Sequence, residues 1–195
     1  MPRLRQVPRA EAAPDVLRMY DRRFGERDPV AKPGTGTGTP GNCWTVFALS
    51  PEIFAHAVVG FGVMTARSRV LTAYQRELAL LRTGFASGSQ FVCSQHAKTA
   101  RGAGVPGEKI AEISAWASSE RFDAADRAIL AYTVELVLAD GRVQDGTFER
   151  LQAHLSDEAI LELSYAIGTY RMHAMRFASA STRGPISPGS KMRLR

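Results

Sequence analysis

Between Arg76 and Val105 the sequence reads as two helices joined by a turn too short to let them part. Residues 70–86 repeat apolar side chains every three or four positions (Leu71, Tyr74, Leu78, Leu81, Phe85), and Gly88 ends the pattern. A second helix begins near Ser89 and runs to Gly102–Gly104, with Cys93, His96, Ala97 and Ala100 on one face. Helices joined this closely pack antiparallel. Glu77 lies 11 residues before Gly88 and His96 lies 8 after it. At about 1.5 Å per residue that is roughly 16 and 12 Å along the two axes. Side chains of their reach can meet across the interface. Arg76 and Arg82 are expected to point outward.

A carboxylate against an imidazole fixes the tautomer and favours the imidazolium, while burial opposes the charge. Such a pair is either a general acid–base device or a structural contact. Cys93, one turn before His96, is within reach for thiolate formation, or it is a small buried hydrophobe. The small residues flanking His96 leave room for a ligand. No metal is expected: His56 or His173 could be imagined as a third ligand, but no spacing matches a metal signature. The GTGTGT run follows no strand and is no phosphate loop, and no GxSxG elbow exists.

The rest of the chain supplies packing. Val16, Met19, Tyr20 and Phe24 form a helical stripe in residues 10–25, started by Pro14 and stopped by Gly25. Residues 26–41, rich in Gly, Thr and Pro, have no apolar face and read as a disordered connector, with a lid as the alternative. A short apolar segment, 42–49, precedes a helix opened by Ser50 and Pro51. That helix, through about Ala66, is apolar nearly all round, which predicts burial in a core or a subunit interface, with His56 as a packed residue. Further helices are expected over 106–116, 124–139, 145–155 and 156–179, the last with Ile160, Leu163, Ile167, Tyr170 and Phe177 as its stripe and His173 near its end. No β-alternation occurs. The fold class is all-α, a bundle of seven or eight helices.

Charge narrows the partners. The net charge is +6, but Arg3, Arg5 and Arg9 at one end and Arg183, Lys191, Arg193 and Arg195 at the other hold seven positive charges, which leaves residues 10–182 at −1. Both tails read as solvated and mobile, so no nucleic-acid partner is expected. Two cysteines 50 residues apart, no apolar leader and no long apolar run suggest a reducing, cytoplasmic setting without a membrane span.

The words RELALLR, then a Gly, then a segment ending SQH, then ARGAGV, PGEKI and SDEAILELSYAIGTYRMHAMRF, resemble the carboxymuconolactone decarboxylase family, which includes alkylhydroperoxidase D-like proteins. The resemblance covers about residues 42–180, leaving 1–25 as a helical arm, 26–41 as a linker and 181–195 as a basic tail. It implies the alkylhydroperoxidase D-like helical bundle, assembled as a trimer or hexamer, acting on a small molecule with no cofactor. It also implies Glu77 and His96 as the catalytic pair. Family peroxidases carry a CxxC ending four residues before that His; Ser89 and Val92 stand there instead. Cys93 occupies a place where decarboxylase-like members often carry an aromatic, which would make it a small pocket wall. The resemblance points to decarboxylation of an unsaturated lactone acid, with His96 as proton donor, Glu77 as its orienting partner and Arg171 as a carboxylate binder or a surface residue. A peroxidase using Cys93 alone is the runner-up. A non-catalytic oligomer binding an anionic partner through its tails is a third class.

Overall fold

The computed structural model describes residues 4–35, 38, 40–66 and 68–174. Among them are nine α-helices, two short 3₁₀ turns and no strand. The α-class expected from the sequence is observed, with one helix beyond the expected count: the apolar segment after the linker is itself helical. None of the helices is long and apolar enough to cross a membrane. Phe177 and the basic tail, 181–195, lie outside the described residues.

The described residues divide into two compact units, one ending at Ala66 and one running to Ala174. The first holds α1 (Pro14–Phe24), α2 (Asn42–Phe47) and α3 (Pro51–Thr65). Pro14 sits in the first turn of α1, and Gly25 takes a φ of 65° just past its end. Val16, Tyr20, Phe24, Trp44, Phe47 and Phe54 make the core of this unit. Ser50 caps α3 ahead of Pro51, as expected. Burial along α3 is confined to one stripe (Phe54, Ala57, Gly60, Met64), so Ile53 and Val59 are 57% and 67% exposed and His56 faces solvent instead of packing.

Two expectations for this unit are corrected. Residues 4–9, the described part of the N-terminal segment, are not a loose end: Val7 is buried and donates its N–H to Thr45, while Arg9 pairs with Asp21 at 2.8 Å. The start of the linker is also fixed. Asp28 accepts hydrogen bonds from the backbone N–H groups of Arg9, Val30 and Ala31, an Asx-type closure that composition alone does not reveal.

The second unit is built around α4 (Ala73–Ala86), which packs against α5 (Gln90–Gly102), α7 (Ala124–Leu138) and α9 (Asp157–His173). Thr72 and Gln75 form a capping box at its start. Glu162 on α9 accepts from the N–H of Leu71 at 2.9 Å and fixes the approach. Helices α6 (Gly107–Ala111) and α8 (Asp145–Gln152) complete the unit. With neighbours on several sides, every residue from Glu77 to Gly84 is buried. Arg82 therefore does not point outward. It is 9% exposed and donates from Nη1 to the carbonyl of Ile113 at 3.1 Å. Arg76 does not point outward either; its side chain is 18% exposed and bonded to Glu77.

The turn between α4 and α5 uses Gly88 at a φ of 64°, and Ser89 caps α5. The two helices approach most closely at Gly84, where an added Cβ would lie 2.6 Å from the backbone nitrogen of Cys93 and 2.9 Å from its Cα. Backbone cannot yield as a flexible side chain does. Gly84→Ala is therefore expected to cost about 1–3 kcal/mol, read as a lower melting temperature.

Candidate functional site

Glu77 and His96 are brought together by the α4–α5 hairpin. His96 Nδ1 lies 2.7 Å from Glu77 Oε2, with the residues 5% and 6% exposed. The same carboxylate oxygen accepts from Thr99 Oγ1 at 2.5 Å, and Oε1 accepts from Arg76 Nε at 3.2 Å. Burial pushes the Glu77 carboxyl up, but hydrogen bonds from His96 and Thr99, with the charges of His96 and Arg76, outweigh it and hold the group below its ordinary value. An ionised carboxylate at Nδ1 selects the tautomer with its proton on that atom. Nε2, with no hydrogen bond among the described residues, is left to exchange protons.

The ring of Tyr170, from α9, meets the His96 ring edge-on with centroids 4.3 Å apart, a second contact on the imidazole besides Glu77. Tyr170 also meets His173, at 5.8 Å. Burial pushes His173 down to about 4, so it is a neutral packing group at physiological pH.

Cys93 is fully buried and makes no hydrogen bond to His96. Burial raises its thiol to about 11 against the opposing charge of Arg82, so proximity in sequence to His96 does not make it a thiolate. Arg171 pairs with Asp140 at 2.9 Å and is half-exposed. Among the described residues no group of three His, Cys, Asp or Glu side chains is arranged to hold a metal. A groove of about 540 Å³ lined by Trp116, Arg127, Arg150 and His154 includes neither Glu77 nor His96.

Three contributors were not singled out from sequence. Thr99 follows His96 by three positions, a spacing that places both on one helical face, and that signal was available. An outward Arg76 follows only for a helix with one wet face, and α4 packs against α5, α7 and α9. Tyr170 comes from a distant helix, and no local pattern announces its contact.

The sequence model of the carboxymuconolactone decarboxylase family matches residues 53–135. A protein of unknown function from Agrobacterium tumefaciens, described as a putative antioxidant defence protein AhpD, is 28% identical, with a TM-score of 0.58 over 66% of this chain and 87% of its own. The alkylhydroperoxidase AhpD core of a peroxidase-related protein from Ralstonia eutropha JMP134 is 16% identical, with a TM-score of 0.69 over 89% of this chain and 86% of its own. A cysteine-to-alanine variant of the debrominase Bmp8, in complex with 2,3,4-tribromopyrrole, is 18% identical, with a TM-score of 0.61 over 70% of this chain and 72% of its own. No curated protein matches.

Proposed function

We propose that this chain, which matches the carboxymuconolactone decarboxylase family model over residues 53–135 and resembles AhpD-like proteins in fold, is a cofactor-free decarboxylase-like enzyme acting on an unsaturated lactone acid or a related carboxylic acid. The reading is carried by one observation: a buried Glu77 carboxylate holds Nδ1 of His96 at 2.7 Å and leaves Nε2 without a hydrogen bond among the described residues. That is the geometry of a positioned general acid–base.

In the reaction the bond between the substrate carbon and its carboxylate breaks. Its electron pair passes into the substrate's conjugated carbonyl as carbon dioxide leaves. His96 Nε2–H then delivers its proton to that carbon, which leaves a neutral imidazole that regains its proton from water. Glu77 holds the ring and stabilises the imidazolium, Thr99 and Arg76 hold Glu77, and Tyr170 flanks the ring.

A thiol-dependent hydroperoxidase through Cys93 is the second reading, favoured by the buried Arg82 cation, whose charge pulls the thiol down. Against it stand the burial of Cys93 and the absence of the paired cysteine, since Ser89 and Val92 occupy the CxxC places. The test runs two assays on wild type and Cys93→Ser: hydroperoxide consumption with a thiol donor, and carbon dioxide release from 4-carboxymuconolactone and related lactone acids. No peroxide consumption above the buffer blank, with carbon dioxide release retained in Cys93→Ser, is the expected result. Peroxide turnover that disappears in Cys93→Ser would sink the decarboxylase reading as the main activity.

A further inference from the structure

We propose that Arg76 is the anion anchor of this site, holding through its terminal guanidinium nitrogens a carboxylate or carbonyl oxygen that the product retains. The inference rests on the acid–base reading of Glu77 and His96, but its test does not need turnover.

The geometry begins with Nε, which is engaged at Glu77 Oε1 at 3.2 Å. The guanidinium is planar, so this contact fixes the plane in which the remaining donors lie. Among the described residues those terminal donors have no acceptor, and Arg76 is alone in this among the arginines near the pair. Arg82 is committed to the Ile113 carbonyl, Arg101 to the Ala97 carbonyl and Arg171 to Asp140.

Access points to the same residue. Glu77 and His96 are nearly closed off, whereas the Arg76 side chain keeps 18% exposure.

Charge then selects the ligand. When His96 carries the proton it will donate, Arg76 and His96 supply two positive charges around the single carboxylate of Glu77. The acid form of the cluster is one charge short of balance. An anion restores balance in a site where water is scarce, and a neutral ligand does not.

Which oxygen is held follows from the reaction. A carboxylate gripped by Arg76 and then lost as carbon dioxide would be better bound in the ground state than in the transition state, which slows the step. The gripped group is therefore one that stays: a second carboxylate, or the carbonyl oxygen on which charge accumulates. The ligand class is a small unsaturated acid with at least two such oxygen functions. This also gives Arg76 the role that the sequence suggested for Arg171, which the structure pairs with Asp140.

Maleate, a small cis-unsaturated dicarboxylate, is the probe, titrated calorimetrically into the intact chain beside its neutral dimethyl ester. Wild type is expected to bind maleate and not the ester, with affinity falling as salt rises. Arg76→Gln is expected to weaken maleate by about tenfold or more, since a charge-assisted bidentate contact is removed. Arg76→Lys, which keeps the charge but not the fork, should fall between them and carries the comparison if Arg76→Gln does not fold. Wild-type affinity in both variants, a loss confined to Arg171→Gln, or no maleate binding by wild type would each overturn the assignment. The two readings fail differently. Maleate bound through Arg76 with no turnover of any lactone acid refutes the decarboxylase, whereas turnover untouched in Arg76→Gln refutes the anchor.

Discussion

His96→Ala is expected to reduce carbon dioxide release by about 10² to 10⁴-fold, the range that a positioned general acid–base contributes. The substitution removes Nε2, the proton-exchanging atom, and leaves Glu77 with Thr99 and Arg76 as donors. The carboxylate therefore stays paired, and the loss should fall on turnover far more than on stability. Glu77→Gln separates orientation from charge. Its amide oxygen still accepts from Nδ1, so the ring stays placed, but the imidazolium loses its counter-charge; the expected loss is smaller than in His96→Ala. The same variant has a signature in pH. The folded Glu77 carboxyl lies below its ordinary value of 4.5. Its contribution to stability is complete above about that pH and is lost as pH falls through the lower folded value. Denaturant midpoints compared at neutral pH and near pH 3 should thus converge between wild type and Glu77→Gln at the acid end. A gap that widens on acidification would contradict the assignment.

The part of the site that was legible in sequence is the part carried by neighbouring helices. Glu77 and His96 could be paired because a turn at Gly88 fixes the direction of α5 against α4, and counting residues from that turn gives the register. The helix starts at Ser50 and Ser89 were readable for the same reason, since each side chain bonds within its own helix. What failed was the assumption that a helix has one buried stripe and one wet face. It would have served for α3, which its apolar composition marks as buried all round but which buries one stripe and leaves His56 exposed. It does not hold for α4, which is packed on several sides and so buries Arg82 and half-buries Arg76. A polar side chain on a central helix is placed by the neighbours it meets, and the sequence of the helix does not name them. Tyr170 is illegible for this reason: its ring reaches His96 from 74 residues away, by the packing of α9 on α4.

Asp126→Ala is expected to be the most damaging single change to the stability of the unit that carries the site. Asp126 is 2% exposed and receives Lys109 Nζ in a short ion pair, and Tyr74 OH lies 3.3 Å from the same oxygen. Lys109 also donates to Tyr74 OH at 2.9 Å and sits 5.6 and 5.8 Å from the rings of Tyr74 and Phe122. Burial disfavours the ammonium, but its hydrogen bonds to Asp126 and Tyr74 overcome that and raise its titration above the ordinary 10.5. For a group raised in this way, the stabilisation is fully present below pH 10.5 and lost only as pH rises through the folded value. The effect of removing Asp126 should therefore be the same at pH 6 and pH 9. Its size follows from what remains: a largely covered ammonium, 13% exposed, with its counter-ion gone. Breaking such a pair costs about 3–5 kcal/mol, a large share of the roughly 5–15 kcal/mol that holds a domain folded. Replacing both partners avoids the stranded charge, so Lys109→Met with Asp126→Leu should be milder than Asp126→Ala alone. The comparison also bears on the site, because Tyr74 stands one turn before Glu77 on α4. If the triad only ties α7 to α4, the double variant retains carbon dioxide release once it is folded. If turnover is lost at undiminished stability, the triad also sets the position of α4, and Glu77 depends on it.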